Sequence, residues 1–122
     1  MLFKYRQDYE KTVMGFLSYL PYFKNLDNLR QEMRLYNNAD NQFEIYLFSK
    51  SQQSDYLGII GIQHEAKFVV VRYIALAPDI RNQHYEAILM RELQNTFPQE
   101  SITAVPDYTY LLKYLQSDQS HA

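Results

Sequence analysis

The run Phe68-Val69-Val70-Val71-Arg72-Tyr73-Ile74-Ala75-Leu76 constrains this chain more than any other stretch. Its β-branched and aromatic residues fit a pleated strand, and its near-continuous hydrophobicity, broken only by the charge of Arg72, marks a strand buried on both faces. Such a strand needs a sheet neighbour on each side and something apolar above and below it. It is also far shorter than the roughly 20 apolar residues of a membrane helix, so a membrane partner is not expected.

The rest of the chain supplies the covering layers. Residues 2–6 alternate apolar with polar, the period of a half-buried strand. Asp8 is placed to cap a helix carrying Val13, Phe16, Leu17 and Leu20, which Pro21 stops. A second helix carries Leu26, Leu29, Met33 and Tyr36 on one stripe and ends near Asn37-Asn38. Residues 43–48 and 56–62 read as strands, and Gly58 and Gly61 in the latter suggest a bulge or a close backbone approach. Residues 64–67 turn the chain into the central strand. Beyond Pro78, residues 81–97 show helical spacing through Ala87, Leu89, Met90 and Leu93, and Pro98 ends them. Residues 102–105 form a short strand, and Asp107 is placed to cap a last helix with Leu111, Leu112 and Leu115. Residues 116–122 read as a frayed polar tail.

This order predicts an α/β (α+β) fold: a mixed, mainly antiparallel sheet flanked by helices, with one right-handed parallel crossover from residue 68 to residue 105. A chain of 122 residues corresponds to a single domain, residues 1–122. With 47% hydrophobic and 21% charged residues it has the material for a core. A net charge of −2 argues against a nucleic-acid partner. The absence of cysteine excludes disulfides, thiolate metal sites and cysteine nucleophiles, and it agrees with a cytoplasmic location. His64, His84 and His121 are too widely spaced for a metal-ligand pattern. The 12 tyrosines are expected mainly at half-buried packing positions.

The element order, together with Ile74-Ala75-Leu76-Ala77-Pro78-Asp79-Ile80-Arg81-Asn82-Gln83, resembles the GCN5-related N-acetyltransferase (GNAT) family. In that family a hydrophobic strand and a proline lead to the glycine-rich turn R/Q-x-x-G-x-G/A, which opens a helix. Here the turn reads Arg81-Asn82-Gln83-His84-Tyr85-Glu86, so both glycine positions are filled. The short length, the segment from Met14 to Pro21 and Val105-Pro106-Asp107 are similar to the small RibT-type members associated with riboflavin biosynthesis genes. The family's further strands after the last helix are not present, which implies a truncated sheet that a second copy, in a homodimer, could complete.

The resemblance implies acetyl transfer from acetyl-CoA to a small-molecule amine or metabolite. Coenzyme A would lie along Ile74, Ala75 and Leu76, whose backbone N–H groups would meet the thioester oxygen, and its phosphates would sit at residues 81–86. Arg81 is the best phosphate partner there. His84 adds bulk, and Glu86 adds a charge that repels phosphate while suiting the helix dipole. Tyr114, seven residues after Asp107, stands where the family often places its proton donor, and Tyr110 lies one turn earlier. No carboxylate on the central strand is available as a base. The other reading is a non-catalytic accessory protein of the same fold, linked to riboflavin metabolism, that has lost its coenzyme loop.

Overall fold

The computed structural model describes residues 1–38, 42–52 and 55–116. The strands are β1 (Leu2–Lys4), β2 (Phe43–Ser49), β3 (Tyr56–Glu65), β4 (Phe68–Leu76) and β5 (Ser101–Ala104). They form one sheet in the order β1-β2-β3-β4-β5, antiparallel except for the parallel β4–β5 pair. The α-helices are α1 (Glu10–Leu17), α2 (Leu26–Asn37) and α3 (Gln83–Thr96). This is the mixed, mainly antiparallel arrangement that the sequence predicts.

Each face of the sheet has its own apolar layer. Val13 and Leu17 of α1 and Leu29 and Met33 of α2 pack with Phe23 on Ile45, Leu47, Ile59, Tyr73 and Ala75. On the opposite face Leu89, Met90 and Leu93 of α3, with Leu111, cover Ile60, Ile62, Val69, Val71, Ile74 and Leu76. β4 therefore contributes to both layers, as its hydrophobicity requires.

The alternation along β4 breaks once. Gly61 pairs with Tyr73 and Ile62 with Val71, so Arg72 is an extra residue opposite the β3 backbone, a β-bulge. Its consequence is that Arg72 and Tyr73 both turn toward α2. Gly61 makes room for this, because a Cβ there would run into the Tyr73 ring.

Several local expectations are corrected. Asp8 caps nothing; it pairs with Arg6 at 3.1 Å, a 3₁₀ turn Gln7–Tyr9 precedes α1, and Leu26 is 51% exposed rather than part of the buried stripe of α2. The helix expected over residues 81–97 begins only at Gln83, because Asn82 caps it by accepting a hydrogen bond from Tyr85 N at 3.1 Å. The last helix is 3₁₀ over Pro106–Tyr114, and Asp107 does not cap it. Of the predicted tail, residues 117–122 lie outside the described residues.

Candidate functional site

A gap in the sheet is the origin of the site. β4 and β5 pair only from Phe68–Val71 against Ser101–Ala104, and the last bond runs from Val105 N to Val71 O at 3.0 Å. Pro106 then begins the 3₁₀ helix and carries the chain away, while β4 continues to Leu76. Backbone groups alternate in direction along a strand, and Ala77 N donates to Leu57 O at 2.8 Å on the β3 side. Tyr73 and Ala75 therefore also face β3, which leaves the N–H groups of Ile74 and Leu76 on the open side. Two cavities border this gap, of about 560 Å³ and about 270 Å³, and Leu20 and Tyr108 touch both.

The larger cavity has a charged floor assembled from distant parts of the chain. Arg72, put toward α2 by the bulge, donates from both Nη atoms to Glu32, with Nη2 to Oε1 at 2.9 Å. Tyr73 Oη donates to Glu32 Oε2 at 2.8 Å, and Tyr36 Oη bonds to Glu32, Tyr73 and Arg72. Glu32 is only 6% exposed and Arg72 20%, so this is a buried ion pair with its acceptor sites filled. Burial alone would raise the Glu32 pKa, but the hydrogen bonds from Arg72, Tyr36 and Tyr73 outweigh it and hold the carboxyl below its ordinary value. Burial pushes both tyrosine hydroxyls well above theirs. The walls are largely apolar and aromatic, with Pro21, Tyr22, Phe23 and Tyr108 among them, and Asp107 completes the lining.

The smaller cavity is lined by Ile74, Ala75, Leu76, Arg81 and Glu86, with Tyr19, Tyr108 and Tyr110. Arg81 is turned back on the strand: its Nε donates to Leu76 O at 2.9 Å, and its guanidinium lies 4.8 Å from the Tyr19 ring centre. Glu86 is also engaged, since it accepts from Tyr114 Oη at 3.1 Å and from Tyr110 Oη at 3.4 Å. Gln83 and His84 open α3, His84 is exposed with its ring against Tyr85, and Lys50 lies over the Tyr85 ring at 5.4 Å.

The 3₁₀ form of Pro106–Tyr114 decides which tyrosines meet the gap. At about three residues per turn, positions three apart share a face. Tyr108, Leu111 and Tyr114 accordingly belong to one apolar layer. Tyr108 extends from it to both cavities, Tyr110 borders the smaller one, and Tyr114 lines neither. Partial burial and Glu86 push the Tyr110 hydroxyl up to about 12, and burial with Glu86 also raises that of Tyr114.

Of the expected site residues, Ile74, Ala75, Leu76, Arg81 and Glu86 line the smaller cavity, whereas Asn82, Gln83, His84, Tyr85 and Tyr114 do not; Glu32, Arg72 and Asp107, which line the larger one, were not among those expected. The central strand indeed carries no carboxylate, and those that line the larger cavity come from α2 and from the 3₁₀ helix after β5. Among the described residues no cluster of metal-ligating side chains occurs, and no helix is long and apolar enough to cross a membrane.

No family model matches the chain. It is 28% identical over 103 residues, covering 84% of this chain and 83% of the relative, to an uncharacterised N-acetyltransferase in the lysA 3′ region of Bacillus methanolicus. A crystal structure described as a possible acetyltransferase from Clostridium difficile 630 superposes with a TM-score of 0.73 at 11% identity, covering 98% of this chain and 91% of that one. The enzyme AAC(6′)-Iy, solved with the bisubstrate analogue CoA-S-monomethyl-acetylneamine, superposes with a TM-score of 0.64 at 10% identity, covering 93% and 84% of the two chains.

Proposed function

We propose, from the fold of the GNAT acetyltransferases that this chain has, that it transfers an acetyl group from acetyl-CoA to a small amine. The observation that carries the reading is the gap between β4 and β5, where the N–H groups of Ile74 and Leu76 face away from β3 beside two neighbouring cavities. The pantetheine arm of coenzyme A fits that edge, since it is an extended chain with amide groups that can pair with a free strand. The phosphate end fits less closely: Asn82 already occupies the N–H of Tyr85, and Glu86 lines the cavity. Gln83 and His84 at the start of α3, with Lys50 nearby, are the groups that would meet the phosphates. Bound acetyl-CoA supplies the acetyl group as a thioester.

The chain's own residues supply position, hydrogen bonds and a proton. The N–H groups of Ile74 and Leu76 donate toward the thioester oxygen as negative charge develops on it. Tyr110 is fully protonated at neutral pH and stands beside the smaller cavity, so it can donate to a departing sulfur. Tyr114 reaches the same place through Glu86, which both tyrosines contact. The Glu32–Arg72–Tyr73 network keeps the floor of the acceptor cavity rigid.

Calorimetric titration with acetyl-CoA and coenzyme A tests the reading. Binding is expected, and failure to bind at millimolar ligand would sink it. That failure would instead favour a non-catalytic accessory role, for which the specific observation is Glu86 in the coenzyme groove. The RibT-type assignment, with its riboflavin association, rests on residues 14–21 and 105–107 and stays part of this proposal, as does a cytoplasmic homodimer. Sedimentation showing only monomer at high concentration would remove the dimer.

A further inference from the structure

The larger cavity carries one carboxylate that the fold does not use. Glu32 is saturated by Arg72, Tyr36 and Tyr73, and the two Nη atoms of Arg72 are committed to Glu32 and Tyr36. The floor is therefore a neutral pair. Asp107 differs: it is exposed, caps no helix and makes no hydrogen bond or ion pair among the described residues, yet it lines the cavity beside Tyr108. It is the only uncompensated charge on a wall otherwise formed by rings and aliphatic groups such as Tyr22, Phe23, Tyr73 and Val105.

We infer that this cavity takes a compact, singly charged ammonium on an apolar or aromatic body, with the ammonium at Asp107 and the body among the Tyr22, Phe23 and Tyr108 rings. Ring faces attract ammonium groups, and an uncompensated carboxylate at the rim gives the cation its partner. A volume of about 560 Å³ suits one small molecule. The neutral Glu32–Arg72 floor offers no charge to a second ammonium or to a carboxylate, so polyamines and amino acids are disfavoured. The ammonium first loses a proton, which Asp107 can pass to water, and its freed lone pair attacks the acetyl carbon. As the C–S bond breaks, the nitrogen gives up its second proton to solvent and the thiolate takes one from an enzyme tyrosine, which regains its own from solvent, so that one proton is released overall.

The inference rests on the acetyltransferase reading for the fate of the amine but not for its binding, and the experiment separates the two. The full chain, without coenzyme, is titrated with phenethyltrimethylammonium, whose fixed charge cannot react, and with phenylpropionate and spermidine. The ammonium is expected to bind more tightly than either comparison. Asp107→Asn is expected to weaken it about fivefold, the scale of a ~1 kcal/mol charge attraction near water, since the quaternary nitrogen has no N–H to donate, and Asp107→Glu to restore part of the loss. Equal affinity in wild type and Asp107→Asn, or preference for phenylpropionate or spermidine, overturns the assignment. With acetyl-CoA present, phenethylamine should be acetylated, and Asp107→Asn should raise its KM while leaving donor affinity unchanged. Ammonium binding that depends on Asp107 without any acetyl transfer would uphold this inference and defeat the acetyltransferase reading.

Discussion

The two cavities beside the free stretch of β4 use charge in opposite ways. At the larger cavity Glu32, Arg72, Tyr36 and Tyr73 satisfy one another in a buried network. Around the smaller cavity and the start of α3, Arg81, Asn82 and Glu86 are each tied to a neighbouring element: the end of β4, the first turn of α3 and the tyrosines after β5. A buried, mutually satisfied network at one cavity thus contrasts with single, more exposed contacts at the other. The comparison teaches where mutations should cost stability and where they should change binding.

The largest effect is expected at Glu32. Its replacement by Ala leaves the Arg72 guanidinium buried without its carboxylate and should cost about 3–5 kcal/mol in a denaturant titration. Because the Glu32 pKa is lowered in the folded chain, its stabilisation is present above the ordinary carboxylate value of 4.5 and is lost as pH falls through the lowered value. Glu32→Gln should therefore flatten the acid limb of stability against pH, and an unchanged limb would show that the network does not hold the charge.

Gly61→Ala comes next. The new methyl must displace the Tyr73 ring, for an expected loss of about 1–3 kcal/mol with some release of the Tyr73–Glu32 bond. Asn82→Ala, which removes the cap of α3, should cost about 1 kcal/mol. The smallest change belongs to Glu86→Gln, which should leave stability nearly unaltered but tighten coenzyme A about fivefold, the scale of a ~1 kcal/mol charge repulsion near water. Weaker binding in that variant would mean that Glu86 assists the ligand instead of opposing it.

The same contrast explains what could be read from the residues in order. The run from Phe68 to Leu76 announces a doubly covered strand because its own composition requires it, and α2 and α3 follow from helical spacing. That Ile74, Ala75, Leu76 and Arg81 share one cavity was legible because they are contiguous with that strand. Glu32 and Arg72 lie 40 positions apart, and only the bulge opposite Gly61 puts Arg72 and Tyr73 on one face, so no local pattern reveals their partnership. Asp107 was legible as a helix cap by residue type. The helix starts one residue earlier, at Pro106, so Asp107 lies inside its first turn instead of capping it, and Tyr114 at its end lines neither cavity. A choice between 3₁₀ and α winding depends on packing against α3 and β5, which spacing along the chain does not encode.

Backbone amide spectra recorded during an acetyl-CoA titration test the free edge of β4 most directly. The Ile74 and Leu76 amides should shift more than those of Tyr73 and Ala75, which face β3, and should gain protection from exchange. Unchanged Ile74 and Leu76 signals at saturating acetyl-CoA, with shifts confined to another surface, would contradict it.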